Sequence, residues 1–143
     1  MRIVLADDHH VMRRGLALLI NAEPGFDVVG QAGDVDSGKR QVREHRPGVP
    51  LLDMNMPGRS VLEAIPQLRV EAPATHIVMI TMAHEPARAN AGLRAGAIGY
   101  VFKDAADGEL FDATRHAAAG QRFVNRQLVS GMALERIRDG GWD

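Results

Sequence analysis

Five short apolar segments alternate with five segments of helical periodicity, and this alternation restricts the fold more than any other feature of the sequence. The predicted strands are Arg2–Ala6, Asp27–Gln31, Val49–Leu52, Thr75–Ile80 and Ala97–Phe102. The predicted helices are Val11–Asn21, Asp36–His45, Ser60–Val70, Glu85–Ala95 and Ala106–Ala119. All strands but the second are continuous apolar runs, which is typical of parallel strands that helices cover on both faces. The sequence therefore predicts an α/β fold with a five-stranded parallel sheet, doubly wound as (βα)5 with right-handed crossovers.

The length and the C-terminal segment indicate a single domain with a short extension. A chain of 143 residues has the usual size of one domain. Gly96 and Gly120 follow predicted helices, where a helix C-terminus favours glycine. A further helix is predicted over Asn125–Arg138, and Gly140-Gly141 is typical of a linker. We therefore expect residues 1–120 to form the domain and residues 121–143 to form a helical extension and the start of a linker.

The composition argues against several classes of function. The formal net charge of −1 provides no field that would attract nucleic acid or a membrane surface. No cysteine is present, which excludes disulfides and thiolate chemistry and fits a reducing compartment. No apolar stretch approaches the roughly 18 residues of a membrane-spanning helix, and Asp7 and Asp8 interrupt any signal-like N-terminus. We therefore expect a cytoplasmic protein with no membrane partner.

Polar side chains stand where four of the predicted strands end. Asp7 and Asp8 follow the first strand, and Asp53 follows the third. Thr81 and Lys103 follow the fourth and fifth strands and supply a hydroxyl and an ammonium group. Because the carboxyl ends of parallel strands line one edge of a sheet, we expect these five side chains to lie close together.

These residue types fit one mechanism, which is phosphoryl transfer to a carboxylate. Asp53 would attack the phosphorus atom and form an acyl phosphate. Asp8, Asp53 and the backbone carbonyl of Asn55 would hold Mg²⁺, with Asp7 assisting directly or through water. The metal would offset the repulsion between an anionic nucleophile and an anionic phosphoryl group. The lysine and the threonine of the same set would each bind a phosphoryl oxygen.

Each of these residues also has a plain structural interpretation. An aspartate after a strand often caps the following helix or belongs to a turn. A threonine can cap a helix, and a loop lysine is commonly a solvated cation. No residue of the set is specific by itself, so the functional interpretation depends on the combination and its order along the chain.

Other functions fit the sequence less well. Six histidines, including the adjacent His9 and His10, show no ligand-like spacing, which favours solvated side chains over a histidine metal site. No glycine-rich phosphate loop follows the first strand, which argues against a nucleotide enzyme. An acyl-phosphate hydrolase would place a second acid two residues after Asp53, where Asn55 stands. An interaction module that needs no phosphorylation stays open, and labelling of Asp53 by a small acyl-phosphate donor with Mg²⁺ distinguishes it.

The chain from Met1 to about Gly120 resembles the response-regulator receiver domain of bacterial two-component systems, which has a CheY-like fold. Four motifs carry the resemblance: Leu5-Ala6-Asp7-Asp8-His9, Leu51-Leu52-Asp53-Met54-Asn55-Met56-Pro57-Gly58, Ile80-Thr81 and Ala95-Gly96-Ala97-Ile98-Gly99-Tyr100-Val101-Phe102-Lys103-Asp104. The phrases Arg94-Ala95-Gly96-Ala97 and Lys103-Asp104-Ala105 are most similar to regulators with a LuxR-type (NarL-like) helix-turn-helix output domain.

The resemblance implies a role for each matching residue. Asp53 is the expected phosphoacceptor, Asp7 and Asp8 the acidic pair that binds Mg²⁺, and Thr81 and Tyr100 the switch pair. We expect Thr81 and Tyr100 to end adjacent strands, so that movement of the hydroxyl makes room for the ring. The implied protein is a switch and not a turnover enzyme.

The resemblance also implies partners. A histidine kinase is the expected phosphoryl donor, and a homodimer is expected on phosphorylation. DNA would be bound only through an output domain that these 143 residues do not contain. The helix-like tail and Gly140-Gly141 favour an excised receiver over a natural single-domain regulator.

Two departures from the family pattern lie near the expected site. Pro50 stands inside the strand that leads to Asp53, where it removes a backbone donor and is expected to weaken or bulge the start of that strand. Met82 is larger than the residue that commonly follows the threonine, and we expect its side chain to slow phosphorylation by small donors.

Overall fold

The computed structural model describes residues 1–58, 60–81, 86–103 and 107–124. Its strands are β1 (Arg2–Ala6), β2 (Asp27–Ala32), β3 (Val49–Asp53), β4 (Val78–Thr81), β5 (Gly99–Phe102) and β6 (Phe123–Val124). Its helices are α1 (His10–Ala22), α2 (Val35–His45), α3 (Val61–Glu71), α4 (Pro86–Ala95) and α5 (Asp107–Ala118). The strands form one parallel sheet in the order β2-β1-β3-β4-β5-β6. The predicted α/β class and parallel sheet are therefore confirmed.

The predicted number of strands is wrong by one. Phe123–Val124 pairs with β5 through Gly99↔Phe123 and Tyr100↔Val124, although the sequence predicts that this segment belongs to the C-terminal extension. A strand of two residues is too short to show an alternating pattern, so hydrophobic periodicity cannot predict it. The predicted helix Asn125–Arg138 and Met82 lie outside the described residues.

Helices cover both faces of the sheet because consecutive strand residues are apolar. In β1, Ile3 and Leu5 pack on the face covered by α1 and α5, whereas Val4 and Ala6 pack on the face covered by α2, α3 and α4. All four of these side chains are fully buried. Two hydrophobic cores therefore hold the sheet rigid between them, as expected for parallel strands with no solvent-facing side. None of the helices in the described parts of the chain is long and apolar enough to span a bilayer.

Local signals fix several helix ends. Asp34 caps α2, where its side chain accepts a hydrogen bond from the Ser37 backbone N–H at 2.7 Å. Ser60 caps α3 in the same way, with Leu62 N–H as the donor at 3.2 Å. Gly96 and Gly120 have φ angles of 126° and 74°, the left-handed region that glycine enters without steric cost. The predicted roles of both glycines at helix C-termini are therefore confirmed.

Pro50 does not bulge β3. The pairing of β3 with β1 runs without a register shift from Ile3↔Val49 to Ala6↔Leu52. Pairing of β3 with β4 begins only at Leu51, so the missing N–H of Pro50 falls outside that ladder. The chain therefore reaches Asp53 in regular register. Of the two effects expected of Pro50, a bulge does not form, whereas the late start of pairing with β4 agrees with a weakened strand start.

The topology places a crevice at the carboxyl end of β1 and β3. The chain leaves β1 toward β2 on one side, and β3 lies on the other side of β1. In open α/β sheets this reversal of strand order opens a crevice beyond the strand ends, and ligands bind there. Asp7 follows β1 directly, and Asp53 is the last residue of β3.

Candidate functional site

Asp53 is a buried carboxylate at the end of β3. Its side chain is almost inaccessible to solvent, and β3 fixes its backbone opposite Ile80 of β4. Oδ2 accepts a hydrogen bond from Lys103 Nζ at 2.7 Å, and Oδ1 accepts one from the Asn55 backbone N–H at 3.0 Å. Both oxygens are thus oriented by donors from different elements, and the carboxylate has a defined direction.

Asp7 and Asp8 differ in exposure although they are adjacent. Asp7 is fully buried, and its backbone N–H donates to the Ala32 carbonyl at 2.9 Å, which anchors it between β1 and β2. Its Oδ1 accepts from the His9 N–H at 2.9 Å, whereas Oδ2 lies 2.8 Å from Lys103 Nζ without hydrogen-bond geometry. The Asp8 side chain keeps 31% of its surface accessible. The pair therefore presents one buried and one open carboxylate.

Lys103 lies between the two buried carboxylates. It follows β5 directly, and only 2% of its side chain is exposed. Burial alone would lower the pKa of Lys103, but the hydrogen bond to Asp53 and the negative charges of Asp53 and Asp7 raise it, so the ammonium stays charged. Burial likewise opposes ionisation of Asp7, yet Lys103 and the His9 N–H outweigh burial and lower its pKa. Burial raises the pKa of Asp53, and the nearby Asp7 charge adds to this rise.

Four side chains offer ligand atoms to a cation. Oxygen atoms of Asp7, Asp8 and Asp53 and a ring nitrogen of His9 all lie within 4.8 Å of one another. The buried Asp7 Oδ2 already faces a cation, the Lys103 ammonium at 2.8 Å, and carboxylate oxygens are ligands that hard cations prefer. The acidic cluster can therefore hold a metal ion.

His9 is the member of this cluster that the sequence analysis missed. Its Nδ1 lies 3.3 Å from Asp8 Oδ1 and 3.5 Å from Asp7 Oδ1. The interpretation of His9 as a solvated side chain agrees with its 69% exposure but not with this position beside two carboxylates. The sequence signal for this position is that His9 directly follows Asp7 and Asp8, because the spacing among the six histidines does not indicate a metal site.

Thr81 and Tyr100 lie close to the cluster in different ways. Thr81 ends β4 and is fully buried, with Asn55 Nδ2 3.4 Å from its hydroxyl oxygen. Tyr100 is buried and packs edge to face on Phe102, with 5.8 Å between the ring centroids. The expectation that both residues end their strands is wrong for Tyr100, because Thr81 pairs with Phe102 and Tyr100 pairs with Met79.

Arg88, in the first turn of α4, is a second residue that the sequence analysis missed. Its Nη2 donates to the Met54 carbonyl at 3.0 Å, and its Nη1 donates to Asn55 Oδ1. An arginine inside a predicted helix gives no sign of such a contact, which joins residues more than thirty positions apart. The site therefore has a cation of α4 at its margin besides the buried lysine.

The strand-end residues predicted from the sequence do converge. Asp7, Asp53 and Lys103 are in direct contact, Asp8 belongs to the same cluster, and Thr81 is linked to it through Asn55. A carboxylate held beside a fixed ammonium, a hydroxyl and further carboxylates can act as a nucleophile toward an anionic group when a cation offsets the charge.

Comparison with known proteins gives consistent matches. Residues 3–115 match the family described as Response regulator receiver domain. The chain is 34% identical to the oxygen regulatory protein NreC of Staphylococcus epidermidis over 100% of this chain and 66% of that protein, so it spans just under two thirds of the relative's length. A LuxR-family two-component response regulator from an Aurantimonas species is 35% identical, with a TM-score of 0.88 over 95% of this chain and 97% of that structure. The signal receiver domain of the putative response regulator NarL from Mycobacterium tuberculosis is 31% identical, with a TM-score of 0.80 over 84% of this chain and 97% of that structure.

Proposed function

The chain belongs to the response regulator receiver domain family, and we propose that it is a phosphorylation switch whose acceptor is Asp53 and whose donor is a histidine kinase. The observation that carries this proposal is the contact of one buried ammonium with two buried carboxylates, at 2.7 Å from Asp53 and 2.8 Å from Asp7. This arrangement orients Asp53 at the edge of the sheet where ligands of this fold class bind.

The proposed reaction is a displacement at phosphorus. An Asp53 carboxylate oxygen attacks the phosphorus of a phosphohistidine on the kinase, so that a new P–O bond forms while the P–N bond breaks. The imidazole leaves with the electron pair of that bond and takes up a proton. Lys103 then pairs with a phosphoryl oxygen as a point charge, and the Thr81 hydroxyl donates to another.

Mg²⁺ is the cofactor that fits the acidic cluster best. Carboxylate oxygens are hard ligands, which Mg²⁺ prefers, and we assign Asp8, Asp53 and the Asn55 backbone carbonyl as its ligands, with Asp7 assisting. When bound, Mg²⁺ neutralises charge that builds up on the phosphoryl group. The grouping of ligand atoms of Asp7, Asp8 and Asp53 within 4.8 Å of one another supports this assignment.

The proposed output of the switch is based on the proteins to which the chain is similar. A LuxR-family response regulator and NreC match most or all of this chain. We infer that phosphorylation promotes a homodimer and controls transcription through a DNA-binding domain that these residues do not include. Tyr100 is the proposed partner of Thr81 in the switch. We also propose that residues 1–120 form the receiver domain and residues 121–143 an extension. The proposed compartment is the cytoplasm.

Labelling with acetyl phosphate tests the acceptor. With Mg²⁺ present, intact-mass analysis should show one added phosphoryl group, and peptide mapping should place it on Asp53. Asp53→Asn should not be labelled, whereas Asp112→Asn, which changes an exposed aspartate of α5, should be labelled as the wild type is. Labelling of Asp53→Asn at the wild-type level, or labelling that a chelator leaves unchanged, would contradict the proposal.

A further inference from the structure

We propose that Arg88 and Asn55 form a polar latch that holds the Thr81 hydroxyl away from the phosphoryl position until phosphorylation breaks the latch. This inference rests on the proposed function of Asp53. It assigns a positioning role to two side chains, one on α4 and one on the turn after β3, that the phosphoryl transfer itself does not use.

The latch consists of consecutive contacts across three elements. Arg88 donates to the Met54 carbonyl at 3.0 Å and to Asn55 Oδ1. The other end of the same amide, Nδ2, lies 3.4 Å from Thr81 Oγ1. The first turn of α4 is thus connected to the hydroxyl at the end of β4 through one side-chain amide.

The chemistry of the groups fixes the direction of the amide. A guanidinium only donates hydrogen bonds, so Arg88 must face the amide oxygen of Asn55. The amide NH₂ then points to the opposite side, where the Thr81 oxygen can accept. Arginine suits this position because its planar fork can reach two acceptors on successive residues, which the single ammonium of a lysine does not reproduce.

The same contacts oppose the proposed role of Thr81. The hydroxyl must turn toward a phosphoryl oxygen on Asp53 in the transition state, and its contact with Asn55 belongs to the ground state. An interaction made only in the ground state slows a reaction. The contact of 3.4 Å is long for a hydrogen bond, so it is the link that breaks first. When this contact is lost, the Asn55 amide no longer connects Arg88 of α4 to the Thr81 hydroxyl.

Rates of phosphorylation by acetyl phosphate at saturating Mg²⁺ test the latch. Arg88→Met and Asn55→Ala should each be phosphorylated about two- to tenfold faster than the wild type, the range that loss of one or two hydrogen bonds corresponds to. The double variant should be no faster than the faster single variant, because both changes open the same latch. Arg94→Met, which removes a cation from the last turn of α4, is the matched control and should react at the wild-type rate.

A measurement without phosphate separates failure of the latch from failure of the proposed function. In the unphosphorylated protein, Arg88→Met should shift the NMR resonances of the Asn55 side-chain amide and the Thr81 methyl group, whereas Arg94→Met should leave both unchanged. If Arg88→Met does not fold, Arg88→Lys serves in its place. Unchanged resonances, unchanged or slower phosphorylation of the Arg88 variant, or additive effects in the double variant would overturn the latch. Absence of labelling at Asp53 in the wild type would instead overturn the proposed function.

Discussion

The Lys103 ammonium lies 2.7 Å from Asp53 Oδ2, so a cation at the end of β5 compensates a buried carboxylate at the end of β3. The same nitrogen lies 2.8 Å from Asp7 Oδ2. Within the described residues, the two buried carboxylates therefore share the Lys103 ammonium as an ion-pair partner.

Lys103→Met should strongly destabilise the protein, because it leaves both buried carboxylates without their cation. We expect the free energy of unfolding at pH 7 to fall by about 3 kcal/mol, the lower end of what breaking a buried ion pair costs. Lys39→Met is the control: Lys39 is also buried, but its partner is the neutral Gln67, so no carboxylate is stranded and the loss should be smaller. Urea unfolding of both variants measures this, and equal losses would contradict the interpretation.

Asp53→Asn should stabilise the metal-free protein at neutral pH. Burial raises the pKa of Asp53 above its usual value of 3.8, so the folded protein binds this proton more tightly than the unfolded chain does. The ionised carboxylate therefore costs stability above the unfolded pKa, and this cost disappears as the pH falls below it. Unfolding free energies from pH 3 to 7 should show an advantage of the asparagine variant that grows with pH, and Mg²⁺ should reduce it by stabilising the wild type. An asparagine variant that is less stable at pH 7 would contradict the burial argument.

Asp34 should contribute a pH-dependent cap to α2. Asp34→Ala removes the acceptor for the Ser37 N–H and should lower the free energy of unfolding by about 1 kcal/mol. Asp34→Asn keeps a side-chain oxygen and should cost less. The hydrogen bond to the Ser37 N–H lowers the pKa of Asp34, so its contribution is present above the unfolded pKa of about 3.8 and is lost as the pH falls through the lower, folded value. Thermal unfolding at several pH values measures this, and Asp34→Asn should lack the loss of stability that protonation of Asp34 causes in the wild type at acid pH.

Thr81→Ala should separate phosphorylation from switching. The variant keeps Asp53 and the acidic cluster, so acetyl phosphate should still label it, but the phosphoryl group loses the hydroxyl that draws β4 toward it. NMR shifts around Tyr100 on phosphorylation should be largely lost. Thr114→Ala removes another buried hydroxyl, one that donates to the Leu110 carbonyl in α5, and should leave these shifts intact. A wild-type response of Tyr100 in Thr81→Ala would show that coupling does not pass through Thr81.

His9 should widen the metal preference of the site. An imidazole nitrogen is a good ligand for Co²⁺ and Zn²⁺ but not for Mg²⁺. The separations of 3.3 and 3.5 Å from two carboxylate oxygens are compatible with binding of one ion by all three groups. Calorimetry should show that His9→Asn binds Co²⁺ about tenfold more weakly, with little change for Mg²⁺. His10→Asn, which changes the neighbouring imidazole beside Arg13, is the control. Equal Co²⁺ affinities in wild type and His9→Asn would exclude the ring as a ligand.

The sequence by itself determined the layer architecture and the membership of the main cluster. Consecutive apolar residues such as Ile3, Val4, Leu5 and Ala6 can all be buried only in a strand covered on both faces, so the parallel sheet followed from the pattern. Asp7, Asp53 and Lys103 could be grouped because the carboxyl ends of parallel strands meet at one edge, whichever neighbours each strand has. These inferences need only periodicity and chain direction, which are local properties of the sequence.

Only the tertiary structure decided the contacts that depend on register and on side-chain reach. Tyr100 pairs with Met79 and not with Thr81. The register of two strands depends on how their side chains pack in the assembled sheet, so neither strand's sequence alone predicts it. The two-residue strand β6 exists because β5 offers it a free edge. Arg88 reaches Asn55 because the packing of α4 on the sheet brings a long side chain over the turn after β3. Such contacts join residues far apart in the chain, so their geometry emerges only when the helices and strands are packed together.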